Sequence, residues 1–388
     1  MTVLTGFPNH PDGVIRPEYR ERFRRMLSRE IRDRVQIVRT WLLPLPNRKS
    51  YERMLNYSSF CVSAAIAGSF LECPDVIIAT SPQLLVGLSG WWIAKLKRVP
   101  FVLEVRDLWP ESLVAVGMGT RGNLLHKALG KIARFLYSNA DHIVVVTPAF
   151  REHLVHQWQV PAEKISVVQN GVETKLFSPR GCEPELRASL SAQGKFVVSY
   201  IGTLGLAHGL ETLIAAAERL QRTAPEVLFM LVGEGADRER TLALANSKNL
   251  RNIRFVSQQP RANIPAYIAA SDACLVLLKK SEVFKTVIPT KMLEFMACGR
   301  PVILGVDGQA REILERSRGG IYVEPENPDA LCEAVLKLKQ QQFLGEAMGR
   351  SGREYIVRNL SRERTAADYL DTLIRLLQGN TAVEKTAA

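Results

Sequence analysis

Cysteine is scarce and unpatterned in this sequence: the six residues Cys61, Cys73, Cys182, Cys274, Cys298 and Cys332 form no C-x-x-C pair. That scatter argues against a zinc ribbon or a disulfide framework and predicts reduced thiols in a cytoplasmic protein. No D-x-D sequence occurs, and His153 with His156 lacks an evident third ligand, so no dedicated metal site is expected. No G-x-x-x-x-G-K-[ST] loop is present, which rules out a P-loop nucleotidase. No signal-peptide pattern opens the sequence as given, and no low-complexity tract or tandem repeat interrupts it. Long apolar runs are missing too. The most apolar stretch, LLVGLSGWWIAKL at 84–96, is too short to cross a bilayer and contains two glycines. It is expected to be a buried helix covering a sheet, with contact between its tryptophans and a membrane interface as the alternative.

What remains is a chain of 388 residues, 46% hydrophobic and 23% charged, the composition of a folded protein with room for two domains. Its net charge of +12 is concentrated. Residues 16–53 carry Arg20, Arg22, Arg24, Arg25, Arg29, Arg32, Arg34, Arg39, Arg48 and Lys49 against few acids. Such a face suits a phosphate-rich partner, either an anionic bilayer or a pyrophosphate, unless it is only a solvated arginine-rich helix. Nucleic acid is not expected, because the run lacks the interleaved aromatics of a stacking platform.

Short β-rich runs alternate with amphipathic segments, the pattern of a parallel sheet with helices on both faces. In the first half, strands are predicted at 76–79, 101–105, 142–146 and 165–168, with helices at 84–97, 124–138 and 149–158. The turn-rich run SPRGCEPELRASLSAQG (178–194) is expected to hold the domain boundary. The pattern then restarts, with strands at 196–201, 228–232, 253–256, 273–278 and 301–304. Helices are predicted at 210–222, 237–247, 264–270, 291–298 and 310–316. The expected division is a first domain at 1–180, a second at 195–360, a helix at 361–378 and a frayed tail at 379–388. Two such domains in series imply a cleft, with ligand outside the carboxyl ends of the strands.

Three places carry candidate chemistry. In SYIGTLGLAHGLETL (199–213), Gly202, Gly205 and Gly209 let backbone N–H groups approach a phosphate at a helix start, and His208 offers a further donor; the alternative is a tight turn and nothing more. In FKTVIPTKMLEFMACGRPVI (284–303), Lys285 and Thr286 lead through Pro289 to a helix with Thr290 as the expected N-cap. Glu294 in its first turns can accept from two ribose hydroxyls, or merely complement the helix dipole. In LEVRDLWPESL (103–113), a strand exit carries Arg106, Asp107, Trp109 and Glu111. There Asp107 is placed to orient a sugar hydroxyl and Arg106 to meet phosphate, the alternative being a structural Arg–Asp pair.

With NGVETKLFSP (170–179) and VGEGADRERTLALA (232–245), these stretches resemble the family 4 retaining glycosyltransferases of the α/β GT-B fold. TGFPNHPDGVIRPEYR (5–20) and VRDLWPES narrow the resemblance to the branch that builds bacterial O-antigen, capsule and colanic acid, including N-acetyl-L-fucosamine transferases. The similarity covers essentially the whole chain.

The resemblance implies two Rossmann-like domains. The second binds a nucleotide sugar, probed best as the UDP form, and the first binds a lipid-pyrophosphate-linked sugar acceptor, with Arg106 and Trp109 on the acceptor side. It implies that Glu294 holds the ribose while Gly202, Thr203, Lys285 and Thr286 contact the diphosphate. Retention without a metal or other cofactor follows from it as well, and the basic segment is then expected to attach the protein peripherally to the inner face of the cell membrane. A sugar-nucleotide epimerase on the same plan and a non-catalytic relic are the rival expectations.

The sequence departs from the family in three ways. The family's glutamate pair has eight-residue spacing, and counting back from Glu294 here lands on Thr286. Ala207 and His208 stand where a lysine is common. The family's opening strand has no counterpart before MTVLTGFPNHP, from which a misassigned start and a first sheet lacking its first strand are expected.

Overall fold

In a computed structural model of the chain, residues 1–9, 13–46, 50–111 and 124–386 are described, the side chains of 50 and 379–386 excepted. Residues 10–12 of the opening motif, Arg48 and Lys49 of the arginine run, and Ser112 and Leu113 lie outside them. The chain forms two compact units, Met1–Val167 together with Thr372–Ala388, and Val168–Asp371.

The second unit holds one all-parallel sheet of β8 (Phe196–Ile201), β9 (Val227–Val232), β10 (Ile253–Val256), β11 (Ala273–Leu277), β12 (Val302–Gly305) and β13 (Gly320–Tyr322). Their order is β10-β9-β8-β11-β12-β13. The chain therefore winds outward in one direction from β8, then returns and winds in the other from β11. The crevice at such a reversal is where doubly wound sheets bind ligands. Every residue of β8 is buried, and alternate residues serve opposite cores. Val197 and Ile201 join Met292, Phe295 and Met296 on one face. Phe196, Val198 and Tyr200 join Leu213, Ile214 and Ala217 on the other. A strand buried on both sides shows as a continuous apolar run, which is why this half of the sequence was legible.

The first unit is less regular. β4 (Ile77–Thr80), β5 (Phe101–Val105), β6 (His142–Val145) and β7 (Ile165–Val167) form a parallel sheet in sequence order. A separate sheet has the order β1-β3-β2, from β1 (Thr2–Gly6), β2 (Leu27–Arg32) and β3 (Val35–Thr40). β2 and β3 are antiparallel, and Arg32 faces Val35 across a two-residue turn. Asp33 and Arg34 take φ of 51° and 64° there, the left-handed pair a tight hairpin needs.

Most of the arginine run is thus a short helix, Arg20–Arg24, and a hairpin, rather than one solvated helix face. Glu30 takes Arg22 and Arg39, each at 3.0 Å. The 20-residue helix Ser50–Ser69 was also not anticipated. The apolar helix Leu84–Lys97 lies as predicted, with Leu84, Gly87, Ile93 and Ala94 buried. Trp92 is 51% exposed, however, so its burial is partial.

The units divide ahead of the 178–194 run, for a physical reason. The segment after β7 is stitched to the second unit: Val172 N–H donates to the Leu360 carbonyl at 2.9 Å, and Arg362 N–H to the Val172 carbonyl at 2.8 Å. The run itself contains a helix, Pro184–Ser189. Its Arg187 reaches Asp272 at 2.5 Å, and that carboxylate also accepts from Val197 N–H at 2.7 Å. Helices Pro328–Gln340 and Gln342–Asn359 complete this unit. The last helix, Arg362–Thr386, extends past the expected end at 378.

Candidate functional site

Two loops meet at the exit of β8. Gly202 follows the strand at φ +139°, and the loop turns through a short 3-10 segment, Leu206–His208, to Gly209 at φ +58°. The helix Glu211–Thr223 starts directly after. The loop leaving β9 lies tight against it, because a Cβ on Gly233 would stand 2.0 Å from the Gly202 carbonyl oxygen. The predicted glycines thus bring backbone to a helix start at the sheet's reversal point. Gly202 and Leu204 N–H already donate to the Val232 and Glu234 carbonyls, each at 2.9 Å, and His208 N–H to the Gly205 carbonyl at 3.0 Å, so an anion there would meet the loop's remaining N–H groups.

The helix Thr290–Ala297 supplies the facing side. Its N-cap is Pro289, and no side chain caps it. Thr290, expected as the cap, is instead the exposed first residue of the helix. Pro289 fixes the entry angle and leaves the threonine outside. Lys291 and Glu294 are three residues apart and so share one helix face.

The Lys291 ammonium donates to the Tyr200 hydroxyl at 2.8 Å and lies 4.0 Å from the centre of that ring. It also sits 3.2 Å from where Gly202 would carry a Cβ. Burial pushes its pKa down to about 7, with the Glu294 carboxylate opposing. Tyr200 in turn donates to the Thr203 carbonyl at 2.8 Å.

Glu294 meets Arg261 at 2.9 Å, its side chain 16% exposed against 54% for the arginine. Burial raises its pKa, while Arg261, Arg362 and Lys291 pull it down. Arg261 also lies over the Phe177 ring, 4.8 Å from its centre. The carboxylate predicted to receive ribose is therefore present and half-screened by a guanidinium that can swing into water.

His208 differs from expectation. Gly205 N–H approaches its Nδ1 at 3.3 Å, and burial followed by the Lys291 charge pushes its pKa down to about 4. It is neutral at pH 7 and offers no charge-assisted bond. Since its ordinary value of 6.5 lies above the folded one, the unfolded chain binds the extra proton between pH 6.5 and about 4. Stability therefore falls as pH drops through that window. His208→Gln is expected to flatten this decline, read as the denaturant midpoint from pH 7 to pH 4; an unchanged slope would contradict the depressed value.

Lys285 and Thr286 lie in the segment before the Thr290–Ala297 helix. Lys285 is paired with Glu282 at 2.7 Å, and Thr286 bonds back to the Val283 carbonyl at 2.7 Å. Lys285 lines a cavity of about 340 Å³ with Lys279, Phe284, Asp307, Arg311 and Tyr322. Lys279 connects this cavity to the glycine loop, its N–H donating to the Ala207 carbonyl at 2.9 Å. Lys291, Tyr200, Arg261 and Lys279 were all missed from sequence. Only Lys291 left a signal, its i, i+3 spacing from Glu294.

In the first unit, Arg106 and Asp107 sit at the exit of β5. Burial raises the Asp107 pKa, and the Arg106 charge opposes it. Arg106 is exposed, its N–H approaching the Ser81 hydroxyl at 3.4 Å. Trp109 is only 6% exposed and packs on Tyr57 with ring centres 6.5 Å apart, so it serves the core of this unit. Glu111 lies 3.4 Å from His153. Among the described residues, no three His, Cys, Asp or Glu side chains cluster as a metal site requires. Among the same residues, no helix is long and apolar enough to cross a membrane.

Comparisons agree with this architecture. Residues 183–355 match the family described as glycosyl transferases group 1, and residues 1–171 match the glycosyl transferase 4-like domain. The Escherichia coli K12 protein WcaI, named for colanic acid biosynthesis, is 26% identical over 86% of this chain and 83% of its own length. A D-inositol 3-phosphate glycosyltransferase from Segniliparus rotundus is 28% identical over 76% of this chain and 65% of its own. Among solved structures, sucrose-phosphate synthase from Thermosynechococcus elongatus superimposes with a TM-score of 0.74 at 21% identity, over 98% of this chain and 89% of that one. HepE from Anabaena, solved with UDP-glucose, gives 0.71 at 16% identity over 96% and 99%.

Proposed function

Since the chain is a family 4 glycosyltransferase of the GT-B fold, its halves a 4-like and a group 1 domain, we propose that its second unit holds a UDP-sugar and its first an acceptor sugar on a lipid pyrophosphate. The observation that carries this reading is the meeting of the loop 202–209 with Lys291, which shares a helix face with Glu294, at the sheet's reversal point. It places backbone N–H groups, a cation and a carboxylate together, matching the diphosphate and ribose of one ligand. The neighbour HepE was solved with UDP and UDP-glucose, which supports the choice of nucleotide.

The sugar proposed is an N-acetylated deoxyhexose such as N-acetyl-L-fucosamine, and the setting is assembly of a surface polysaccharide; WcaI's name supports the latter. Transfer proceeds with retention and without a metal. As the bond from the anomeric carbon to the diphosphate breaks, a phosphate oxygen takes the proton of the acceptor hydroxyl attacking from the same face. Stabilising the departing diphosphate is then the protein's main electrostatic task. Incubation with UDP-sugars and a lipid-pyrophosphate-linked acceptor is expected to lengthen the acceptor by one sugar. Release of an isomerised free donor without acceptor would instead favour an epimerase.

Attachment to an anionic membrane is part of the proposal, with nucleic acid excluded. In the first unit, Tyr51, Leu55, Val62 and Ile66 are exposed along the Ser50–Ser69 helix, as are Trp92 and Leu96 on the Leu84–Lys97 helix. Arg20, Arg24, Arg25, Arg29, Arg32 and Arg34 are exposed in the same unit. Cations near an anionic leaflet contribute about 1 kcal/mol each, so several suffice for reversible binding. Vesicles containing phosphatidylglycerol are expected to retain the protein at low salt and release it as salt rises. Equal retention by uncharged vesicles would remove this part of the proposal.

A further inference from the structure

We propose that Lys291 is the cation that receives the donor's diphosphate: its ammonium, held at the open side of Gly202, bonds the phosphate oxygens that the loop's N–H groups approach. The assignment rests on the reading of the second unit as a nucleoside-diphosphate site and adds a residue to it. A diphosphate leaving water for a partly buried loop needs a counter-charge, and the loop 202–209 supplies none. Its single titratable side chain, His208, is neutral at pH 7. Lys285 is half-exposed and already paired with Glu282.

Lys291 is held otherwise. It forms no ion pair among the described residues, because Glu294, one turn on, is taken by Arg261. One of its N–H groups is given to Tyr200, whose hydroxyl is tied to the Thr203 carbonyl, so ammonium and loop backbone belong to one chain of hydrogen bonds. Gly202 has no side chain, and the ammonium stands 3.2 Å from the space one would fill. A glycine at this position keeps the approach from loop to ammonium open. Tyr200, His208 and Glu294 are the titratable groups facing the ammonium. Of these, burial keeps Tyr200 and His208 neutral at pH 7, and Glu294 is paired with Arg261.

Without a ligand, burial leaves this lysine half-protonated near pH 7. An arriving anion favours the protonated form, so binding draws a proton from solution above that pH. The affinity gain is present below about pH 7 and is lost as pH rises, by up to roughly ten-fold per unit.

Calorimetric titration at pH 8, in two buffers of different ionisation enthalpy, tests this with UDP and uridine. Wild-type protein is expected to take up about one proton on binding UDP and none on binding uridine. Lys291→Met is expected to bind uridine normally and UDP roughly ten- to a hundred-fold more weakly, without proton uptake. Lys291→Arg is expected to recover UDP affinity, again without uptake. UDP binding unchanged in Lys291→Met, or uptake that persists there, overturns the assignment and leaves the donor site standing. Wild-type protein that binds neither UDP nor any other nucleoside diphosphate overturns both. Should the methionine variant unfold, wild-type proton uptake decides alone, and its absence overturns the assignment.

Discussion

Glu294→Ala is expected to weaken UDP and uridine by the same factor, roughly ten- to a hundred-fold, because both ligands present the same ribose. Two hydroxyls donating to one carboxylate are charge-assisted bonds, each contributing about 1.5–3 kcal/mol when made out of water. Part of that gain is offset by displacing Arg261, which now holds the carboxylate at 2.9 Å. The displaced guanidinium is more than half exposed and rehydrates at little cost, so the net loss stays within this range. Inorganic pyrophosphate, which has no ribose, is expected to bind the variant and the wild type alike. Turnover with a nucleotide sugar falls with donor affinity. The fold is expected to survive, since the substitution removes a buried carboxylate whose pKa is already raised by burial. Competition titrations with the three ligands separate these outcomes; a variant weakened toward pyrophosphate as much as toward uridine would place Glu294 elsewhere in the site.

Gly233→Ala is expected to cost the protein about 2–4 kcal/mol of stability, combining strained backbone with a steric clash. Gly233 sits at φ +145°, where side chains are strained, and its Cβ would stand 2.0 Å from the Gly202 carbonyl oxygen. That neighbour is backbone at the exit of β8 and cannot rotate away. Relief requires the loop 202–209 to shift, which moves the N–H groups from the proposed diphosphate position. Against a total stability of about 5–15 kcal/mol the loss is large, and UDP affinity is expected to fall with it. Gly181→Ala is the control, because nothing lies within 4 Å of a Cβ there. Urea unfolding of both variants decides the matter. Equal midpoints would mean that the two loops do not constrain each other.

The doubly wound second unit was legible because its strands are buried on both faces and stand out as unbroken apolar runs. β8, β5 and the Leu84–Lys97 helix fall where the pattern put them. The β2–β3 hairpin was not legible, since its exposed face is arginine and its turn, Asp33–Arg34, lacks the glycine that usually marks one. The Ser50–Ser69 helix escaped because Leu55, Val62 and Ile66 point outward and blur its apolar stripe.

The site was legible only in part. Glu294 and the glycines could be named from helix and turn chemistry. The role proposed for Lys291 depends on Tyr200, on a strand about ninety residues earlier, and only the fold brings them together. Trp109 shows the reverse failure, because an aromatic at a strand exit has the same sequence whether it faces ligand or packs on Tyr57. Asp107 and Arg106 lie at the exit of β5 as expected, and their part in acceptor binding belongs to the proposal.

A crystal structure of the protein with UDP bound addresses the central claim most directly. The account predicts the diphosphate on the backbone N–H groups of the loop 202–209 with the Lys291 ammonium in contact, and the ribose hydroxyls on Glu294 in place of Arg261. UDP in the cavity lined by Lys285 and Arg311, with the Arg261–Glu294 pair intact, would contradict it.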